Sequence, residues 1–136
     1  MREGVRIVDY LNRLTNPELL ALMVAGEADN QPLPGKVAVA VVAVERLRRG
    51  RWGDTLREVI LQPYQFSTFN GSHWQRFTPR IGAHIELAEL AIERLLNSSV
   101  NGATHYHTVD ILPSWAKSPQ MIRQGQIGDH VFYLEK

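Results

Sequence analysis

Glu27 is the residue whose position most clearly indicates chemistry. It follows Leu19–Ala25, a run of residues that is apolar almost all round, and such a helix is expected to be buried. Burial and the negative end of the helix dipole both disfavour an ionised carboxylate, so the sequence predicts a raised pKa for Glu27. A carboxyl group that keeps its proton at neutral pH can protonate a glycosidic oxygen. The alternative is that Glu27 ends the helix and faces water.

A second pattern, His105-Tyr106-His107, lies in a segment rich in β-forming residues. Alternate residues of a strand share a face, so His105 and His107 could both bind zinc, with His130 or His73 as a third ligand. The chain has no cysteine and no His-Glu-x-x-His motif, which leaves the zinc hypothesis weakly supported. We expect Tyr106 to face away from the two histidines.

Further side chains are candidates for contacts with a sugar chain. Gln65, Phe66 and Ser67 follow a proline and are predicted to lie on a turn, where an amide can bond sugar hydroxyl groups and a ring can stack. Phe66 could instead anchor the turn in the core. Three tryptophans could either stack on a sugar or pack in the interior: Trp52, Trp74 and Trp115. Of these we favour Trp115.

Aspartates and arginines offer secondary possibilities. Asp29, Asp54 and Asp110 are conceivable second carboxylates, and Asp29 is the best candidate to activate a water molecule. Asp54 is expected to cap the helix that begins at residue 55. Four arginines follow one another closely and could attract an anionic polymer or simply end a helix: Arg46, Arg48, Arg49 and Arg51. Glu45 is expected to pair with Arg49, one turn further on.

The elements that would position these residues are mainly helices. Apolar spacing and capping signals predict helices at about 5–14, 19–28, 36–49, 56–61 and 83–97, and a short one between Ser118 and Gly125. The 83–97 helix would bury a stripe that includes Ile85 and Leu95. Residues 103–108 and 130–134 are predicted to form two antiparallel strands. The fold class is therefore α+β, mostly helical with a small antiparallel sheet.

Length and composition limit the remaining possibilities. A chain of 136 residues fits one domain, and a net charge of +1 does not indicate nucleic-acid binding. No apolar run is long enough to cross a bilayer, and the N-terminus does not resemble a signal peptide. We expect a monomer that needs no cofactor and does not insert into membranes.

Six segments of the chain, taken in order, resemble the motifs of a known family. They are Ala25–Ala28, Pro34–Ala40, Val59–Ser67, Gly102–His107, Pro113–Lys117 and Gln126–Tyr133. Together they resemble the catalytic domain of the SleB/CwlJ spore cortex-lytic and cell wall hydrolases, with a match from about residue 19 to 133. Residues 1–18 would then be a helical extension of a single catalytic domain over 1–136.

The resemblance implies a lysozyme-like fold and cleavage of the MurNAc–GlcNAc β-1,4 bond of peptidoglycan. It implies a lytic transglycosylase, in which one glutamate acts as acid and then base and a 1,6-anhydro product forms; Glu27 matches that glutamate. From the resemblance we expect Tyr106 and His107 near Glu27. The alternatives are a muramidase that hydrolyses the same bond, a zinc-dependent N-acetylmuramoyl-L-alanine amidase using His105, His107 and His130, or an inactive wall-binding module.

Two features depart from the family pattern. Val41 and Glu45 stand where members typically carry asparagines, so Glu45 and Arg46 are not expected to act as the family's Asn-Arg pair. The chain also shows no peptidoglycan-binding module. A stand-alone domain without a signal peptide is typical of a phage endolysin, which would reach the wall through a holin or after lysis.

Overall fold

The computed structural model describes residues 10–63 and 65–136. Residues 10–13 are helical, in agreement with the end of the predicted 5–14 helix. Leu14 is not helical, and residues 5–9 of the predicted helix lie outside the described residues.

Helix α1, Asn16–Ala28, is the centre of the core. The Thr15 side chain accepts a hydrogen bond from the Glu18 backbone N–H, and the Glu18 carboxylate accepts one from the Thr15 N–H, which is the predicted capping box. Every side chain from Leu19 to Ala25 is buried. The helix is therefore surrounded by protein, as its uninterrupted apolar sequence predicts, and it carries Glu27 in its last turn.

Helices α2, Leu33–Arg49, and α3, Leu56–Leu61, pack beside α1. Helix α2 begins three residues earlier than predicted, because Pro32 precedes it and Pro34 is tolerated in a first turn. It ends at Gly50, whose φ of 76° lies in the left-handed region that glycine adopts without strain. Helix α3 is capped by Thr55 rather than by Asp54, which corrects the capping role expected for that aspartate.

Helix α4, Ile81–Ile92, packs mainly against α1 and is shorter than the predicted 83–97 helix. The chain leaves the helix after Glu93, where Arg94 adopts a φ of 60° and the Leu95 N–H bonds the Leu90 carbonyl. Leu95 is consequently 64% exposed, so its predicted place in the buried stripe is wrong.

The sheet contains three antiparallel strands in the order β1-β3-β2: His105–Thr108, Met121–Ile127 and His130–Glu135, numbered along the chain. Strand β2 replaces the helix predicted between Ser118 and Gly125. The reason is tertiary: β2 pairs along the central strand β3, and a register irregularity at Arg123/Gly125 accommodates Gly125. The prediction of two strands was correct for β1 and β3 and missed the edge strand.

The α+β class, mostly helical with a small antiparallel sheet, is confirmed. Three 3-10 segments complete the connections: Ser67–Phe69, His73–Arg80 and Ser114–Lys117. Within residues 10–63 and 65–136, no helix combines the length and apolarity that a bilayer-spanning segment needs.

The 3-10 turn Ser67–Phe69 packs directly on the last turn of α1 at Gly26. A Cβ placed on Gly26 would lie 2.2 Å from the Thr68 Cγ2 and Oγ1 atoms. The side chain that Gly26 lacks therefore leaves room for Thr68, which is fully buried.

We predict that Gly26→Ala lowers the free energy of unfolding by about 1–3 kcal/mol, because the added methyl group overpacks the Thr68 contact. Gly82→Ala is the matched control: nothing lies within 4 Å of its Cβ position, and alanine favours a helix over glycine by up to about 1 kcal/mol. Urea unfolding of both variants measures the difference. A Gly26→Ala variant as stable as the parent would contradict the assigned contact.

Candidate active site

The Glu27 carboxylate accepts four hydrogen bonds from two separate segments of the chain. Its Oε2 atom accepts from the Ser67 hydroxyl at 3.1 Å, the Thr68 backbone N–H at 3.0 Å and the Thr68 hydroxyl at 2.5 Å. Its Oε1 atom accepts from the Tyr106 hydroxyl at 2.6 Å. The end of α1, the 67–69 turn and strand β1 therefore meet at this side chain.

These bonds correct the simple picture of a carboxyl group in an apolar surround. The Glu27 side chain is half-buried at the end of α1, yet every group bonded to it is a donor. The two oxygens also differ, because Oε2 is engaged by three donors and Oε1 by one.

Glu27 lies in the wall of an open pocket of about 550 Å³, within the size range of pockets that bind small ligands. Glu27 supplies its one carboxylate among the described residues. All seven residues predicted as catalytic or substrate-binding line this pocket. The full lining is Gly26, Glu27, Arg46, Gln65, Phe66, Ser67, Asn70, Tyr106, His107, Thr108, Ile111, Pro113, Trp115 and His130.

Strand β1 places Tyr106 towards Glu27 and the two flanking histidines on the other face. The Tyr106 ring packs against Phe66, His130 and Phe132, with ring centroids 6.3, 5.1 and 5.6 Å away. Burial and the neighbouring Glu27 charge raise the pKa of Tyr106 well above its ordinary value. Tyr106 therefore keeps its proton and acts as a donor to Glu27. The structure decides the choice between Tyr106 and His107 in favour of Tyr106.

The same strand pairing removes the basis for a zinc site. His130 lies opposite Thr108 in the β1–β3 register, so it shares a face with Tyr106, whereas His105 and His107 point to the other face. Across residues 10–63 and 65–136, no three histidine or acidic side chains come together as metal ligands. His73 lies away from the sheet, on the 73–80 segment. The amidase hypothesis needs His105, His107 and His130 to come together, and in the structure they do not.

His107 and Trp115 form an aromatic wall with Tyr133. The Trp115 ring lies 5.8 Å from His107 and 5.3 Å from Tyr133, measured between centroids. The His107 Nδ1 lies 2.7 Å from the Thr108 carbonyl oxygen, and Nε2 lies 2.9 Å from the Tyr133 hydroxyl. Trp115 is half-buried and keeps part of its surface towards the pocket. Trp74, in contrast, is buried in the core and stacks on Tyr10.

Arg46 is a buried residue of the pocket lining that sequence reasoning did not select. It was grouped with exposed arginines, but it is 4% exposed and lines the pocket. Its Nε donates to the Thr104 carbonyl at 2.7 Å and its Nη1 to the Gln65 Oε1 at 2.9 Å. Burial lowers the pKa of Arg46 to about 10, so the guanidinium remains charged at neutral pH. A signal was present: position 46 matches the arginine of the family's Asn-Arg pair.

The aromatic surroundings of Arg46 explain how a charge is tolerated there. Its guanidinium carbon lies 4.8 Å from the centroid of the Trp52 ring and 5.1 Å from that of Phe66. Phe66 is only 2% exposed, so the ring serves mainly as packing beneath the pocket. Gln65, predicted to bond sugar groups, uses its carbonyl oxygen to accept from Arg46.

Asp29 is engaged elsewhere. Its carboxylate lies 2.6 Å from the His84 Nε2 and 3.1 Å from the Arg80 Nε, and it does not line the pocket. The hydrogen bond with His84, with a further contribution from Arg80, holds the pKa of Asp29 below its usual value. The expectation that Asp29 is placed to activate water is thus corrected: its carboxylate joins the end of α1 to α4. The predicted pair of Glu45 with Arg49 is confirmed, at 3.0 Å.

We predict that Arg46→Met lowers the free energy of unfolding by roughly 3 kcal/mol, because the buried Thr104 carbonyl and the Gln65 amide lose their donor. Arg48→Met is the control, since Arg48 is exposed and pairs only with Glu45. The carboxyl ¹³C resonance of Glu27 should move in the first variant and stay in place in the second. Equal stability of the two variants would refute the supporting role of Arg46.

A second prediction concerns pH. Burial, with the charges of Arg46, Arg49 and Arg51, lowers the pKa of His105 to about 4. Between pH 6.5 and 4 the unfolded chain binds a proton that the folded chain resists, so stability falls as the pH falls through this window. We expect the free energy of unfolding in urea to decline less steeply with falling pH in His105→Gln than in the parent. The control His73→Gln, at an exposed position, should show the same decline as the parent. Identical slopes for all three proteins would contradict the effect.

Comparison with known proteins supports the resemblance found in the motifs. Residues 30–133 match a family described as cell wall hydrolase. The match to the family model begins three residues after Glu27 and does not include it. The assignment of Glu27 to the site therefore depends on the geometry described above. The fold is shared with the catalytic domain of the Bacillus cereus SleB protein, at 23% identity and a TM-score of 0.69, covering 87% of this chain and 88% of that one.

A second solved structure is the catalytic domain of the germination-specific lytic transglycosylase SleB from Bacillus anthracis, at 22% identity and a TM-score of 0.72, covering 90% of this chain and 98% of that one. Spore cortex-lytic enzymes from Halalkalibacterium halodurans and Oceanobacillus iheyensis are 34% and 32% identical over 85% of this chain. The chain spans 33% and 40% of their lengths. It belongs to the cell wall hydrolase family, of the SleB/CwlJ type that its motifs indicate.

Proposed function

We propose that this chain cleaves the MurNAc–GlcNAc β-1,4 bond of peptidoglycan glycan strands, with Glu27 as the general acid and base. The observation that carries the proposal is the position of Glu27: it is held by four hydrogen bonds and supplies the one carboxylate among the described lining residues of the pocket. Membership of the cell wall hydrolase family supports the choice of substrate.

In the first step Glu27 donates a proton to the bridging oxygen, and the bond from that oxygen to C1 of MurNAc breaks. The donors on Oε2 anchor the carboxyl group, while Oε1 accepts from Tyr106 alone among the described residues and has a lone pair left for the transferable proton. Positive charge then develops at C1. The acetamido carbonyl of the same sugar can stabilise this charge, so no second protein carboxylate is required.

In the second step the ionised Glu27 accepts a proton from the 6-hydroxyl of MurNAc, and O6 attacks C1. A 1,6-anhydro ring forms, water is not consumed, and Glu27 regains its proton. The ionised intermediate state is stabilised by the hydroxyl and amide donors of Ser67, Thr68 and Tyr106.

The positions of the carboxylates support our preference for a transglycosylase over a muramidase. Glycosidases that use water or a covalent intermediate ordinarily have two carboxyl groups facing the bond. Among the described residues, Asp29 does not line the pocket and is bonded to His84 and Arg80. The internal 6-hydroxyl then takes the place of a carboxylate-activated water. A muramidase remains the alternative, and the mass of the product separates the two.

We predict that Glu27→Gln lowers turnover of purified peptidoglycan by roughly a hundredfold or more, because the amide has no proton to donate. Exposed Glu86→Gln on α4 is the control and should retain full activity. Released fragments are analysed by mass spectrometry, where an anhydro end is lighter by one water than a reducing end. Full turnover by Glu27→Gln would refute the proposed function, and reducing ends alone would replace the transglycosylase by a muramidase.

A further inference from the structure

His130 lies next to Tyr106 and Glu27, and the proposed reaction gives it no role. It begins strand β3, is 3% exposed and lines the same pocket as Glu27. Its ring packs edge-on against Tyr106, with the centroids 5.1 Å apart, and lies 6.2 Å from the Phe132 ring. The imidazole is therefore fixed against the residue that donates to Glu27.

The ring of His130 forms no hydrogen bond with any described residue. The Nδ1 atom is fully buried and has no partner among the described residues. The Nε2 atom has no partner there either, but it is not fully buried. The neighbouring histidines differ, since His105 and His107 both have bonded ring nitrogens. Leaving a buried polar group unsatisfied ordinarily costs about 1–3 kcal/mol, so such groups are rare and call for an explanation.

The electrostatics define which ligand group would suit this ring. Burial lowers the pKa of His130, so at neutral pH the ring is uncharged and offers one N–H donor and one acceptor lone pair. The pocket lining holds both the Glu27 carboxylate and the Arg46 guanidinium, and the uncharged His130 ring adds no positive charge that would attract an anionic group. A neutral sugar group with hydrogen-bonding capacity, a hydroxyl or an acetamido group, fits both conditions.

We propose that His130 is a substrate-binding residue whose ring hydrogen-bonds a neutral polar group of the amino sugar seated beside Glu27. This inference rests on the proposed function and extends it by assigning the wall of the pocket that recognises the sugar. The ring nitrogen that the substrate would bond is Nε2, which has no partner among the described residues and is not fully buried; Nδ1 stays buried beneath it. The competing explanation is a purely structural ring that is satisfied by water.

Binding is tested in the inactive Glu27→Gln protein, using soluble glycan strands freed of peptides by an amidase. His130→Phe keeps a ring of similar shape and removes both nitrogens. We expect it to weaken binding roughly tenfold in calorimetry, as the loss of one hydrogen bond implies. The midpoint of urea unfolding should stay the same or rise, because an unsatisfied buried nitrogen is removed. His130→Gln should recover part of the affinity, and His73→Gln, outside the pocket, should bind like the parent.

A second measurement keeps His130 intact, so its result does not depend on whether the His130 variants fold. In ¹⁵N-histidine-labelled Glu27→Gln protein, the ring nitrogens of His130 should shift when glycan is added. Glycan binding without such a shift, or equal affinity of His130→Phe, would overturn the assignment and leave the proposed function intact. A labelled protein that binds no glycan at all would overturn the proposed function, and with it the role of His130.

Discussion

The organisation of this domain depends on the hydrogen bonds that the Glu27 carboxylate accepts. They join the end of α1 to a turn some forty residues later and to a strand almost eighty residues later. A carboxylate at the edge of an apolar core is costly unless donors surround it. The three segments can come together only where those donors meet the charge, so the same contacts that organise this part of the fold also build the candidate site.

Two neighbouring features make that convergence possible. Gly26 has no side chain, which allows the Thr68 turn to lie against α1. Arg46, from α2, bonds both the Gln65 side chain and the Thr104 carbonyl, at the beginning of the turn and of strand β1 respectively. The segments that hold Glu27 are thus themselves held by one buried cation, which two aromatic rings cover. Arg46 bonds Gln65 and Thr104, and Glu27 bonds residues two to three positions further along each of the same two segments, Thr68 and Tyr106.

The pocket also departs from the rule that buried polar groups are satisfied. Among the described residues, the His130 ring has no hydrogen-bond partner, and Arg46 bonds two carbonyl oxygens and lies over two aromatic rings rather than pairing with a carboxylate. Away from the pocket, charged groups are paired in the ordinary way, as with Asp29 and His84 or Glu45 and Arg49. Two other buried oxygens without a partner, Gln62 Oε1 and Gln124 Oε1, lie outside this pocket, so His130 is distinguished by its place in the pocket wall, where a polar ligand can reach the ring.

Much of the architecture was predictable because its signals are local. The capping box at Thr15, the apolar run of α1 and the stop at Gly50 each depend on residues a few positions apart. Family motifs likewise indicated Glu27 and the residues that line its pocket. Local signals failed where distant partners decide the outcome: residues 121–127 became a strand because β3 pairs with them, and α4 ended early at a left-handed Arg94.

From local sequence signals, Glu27 could be expected to end a buried helix, and the family motifs pointed to residues suited to contacts with a sugar chain. The sequence could not determine which oxygen is anchored, which of Tyr106 and His107 faces the carboxylate, or that Arg46 is buried while Arg48 is exposed. Those outcomes depend on strand register and on contacts between residues 19 to 79 positions apart. Only the folded chain fixes such contacts, because periodicity describes the faces of one element and not the partner each face meets.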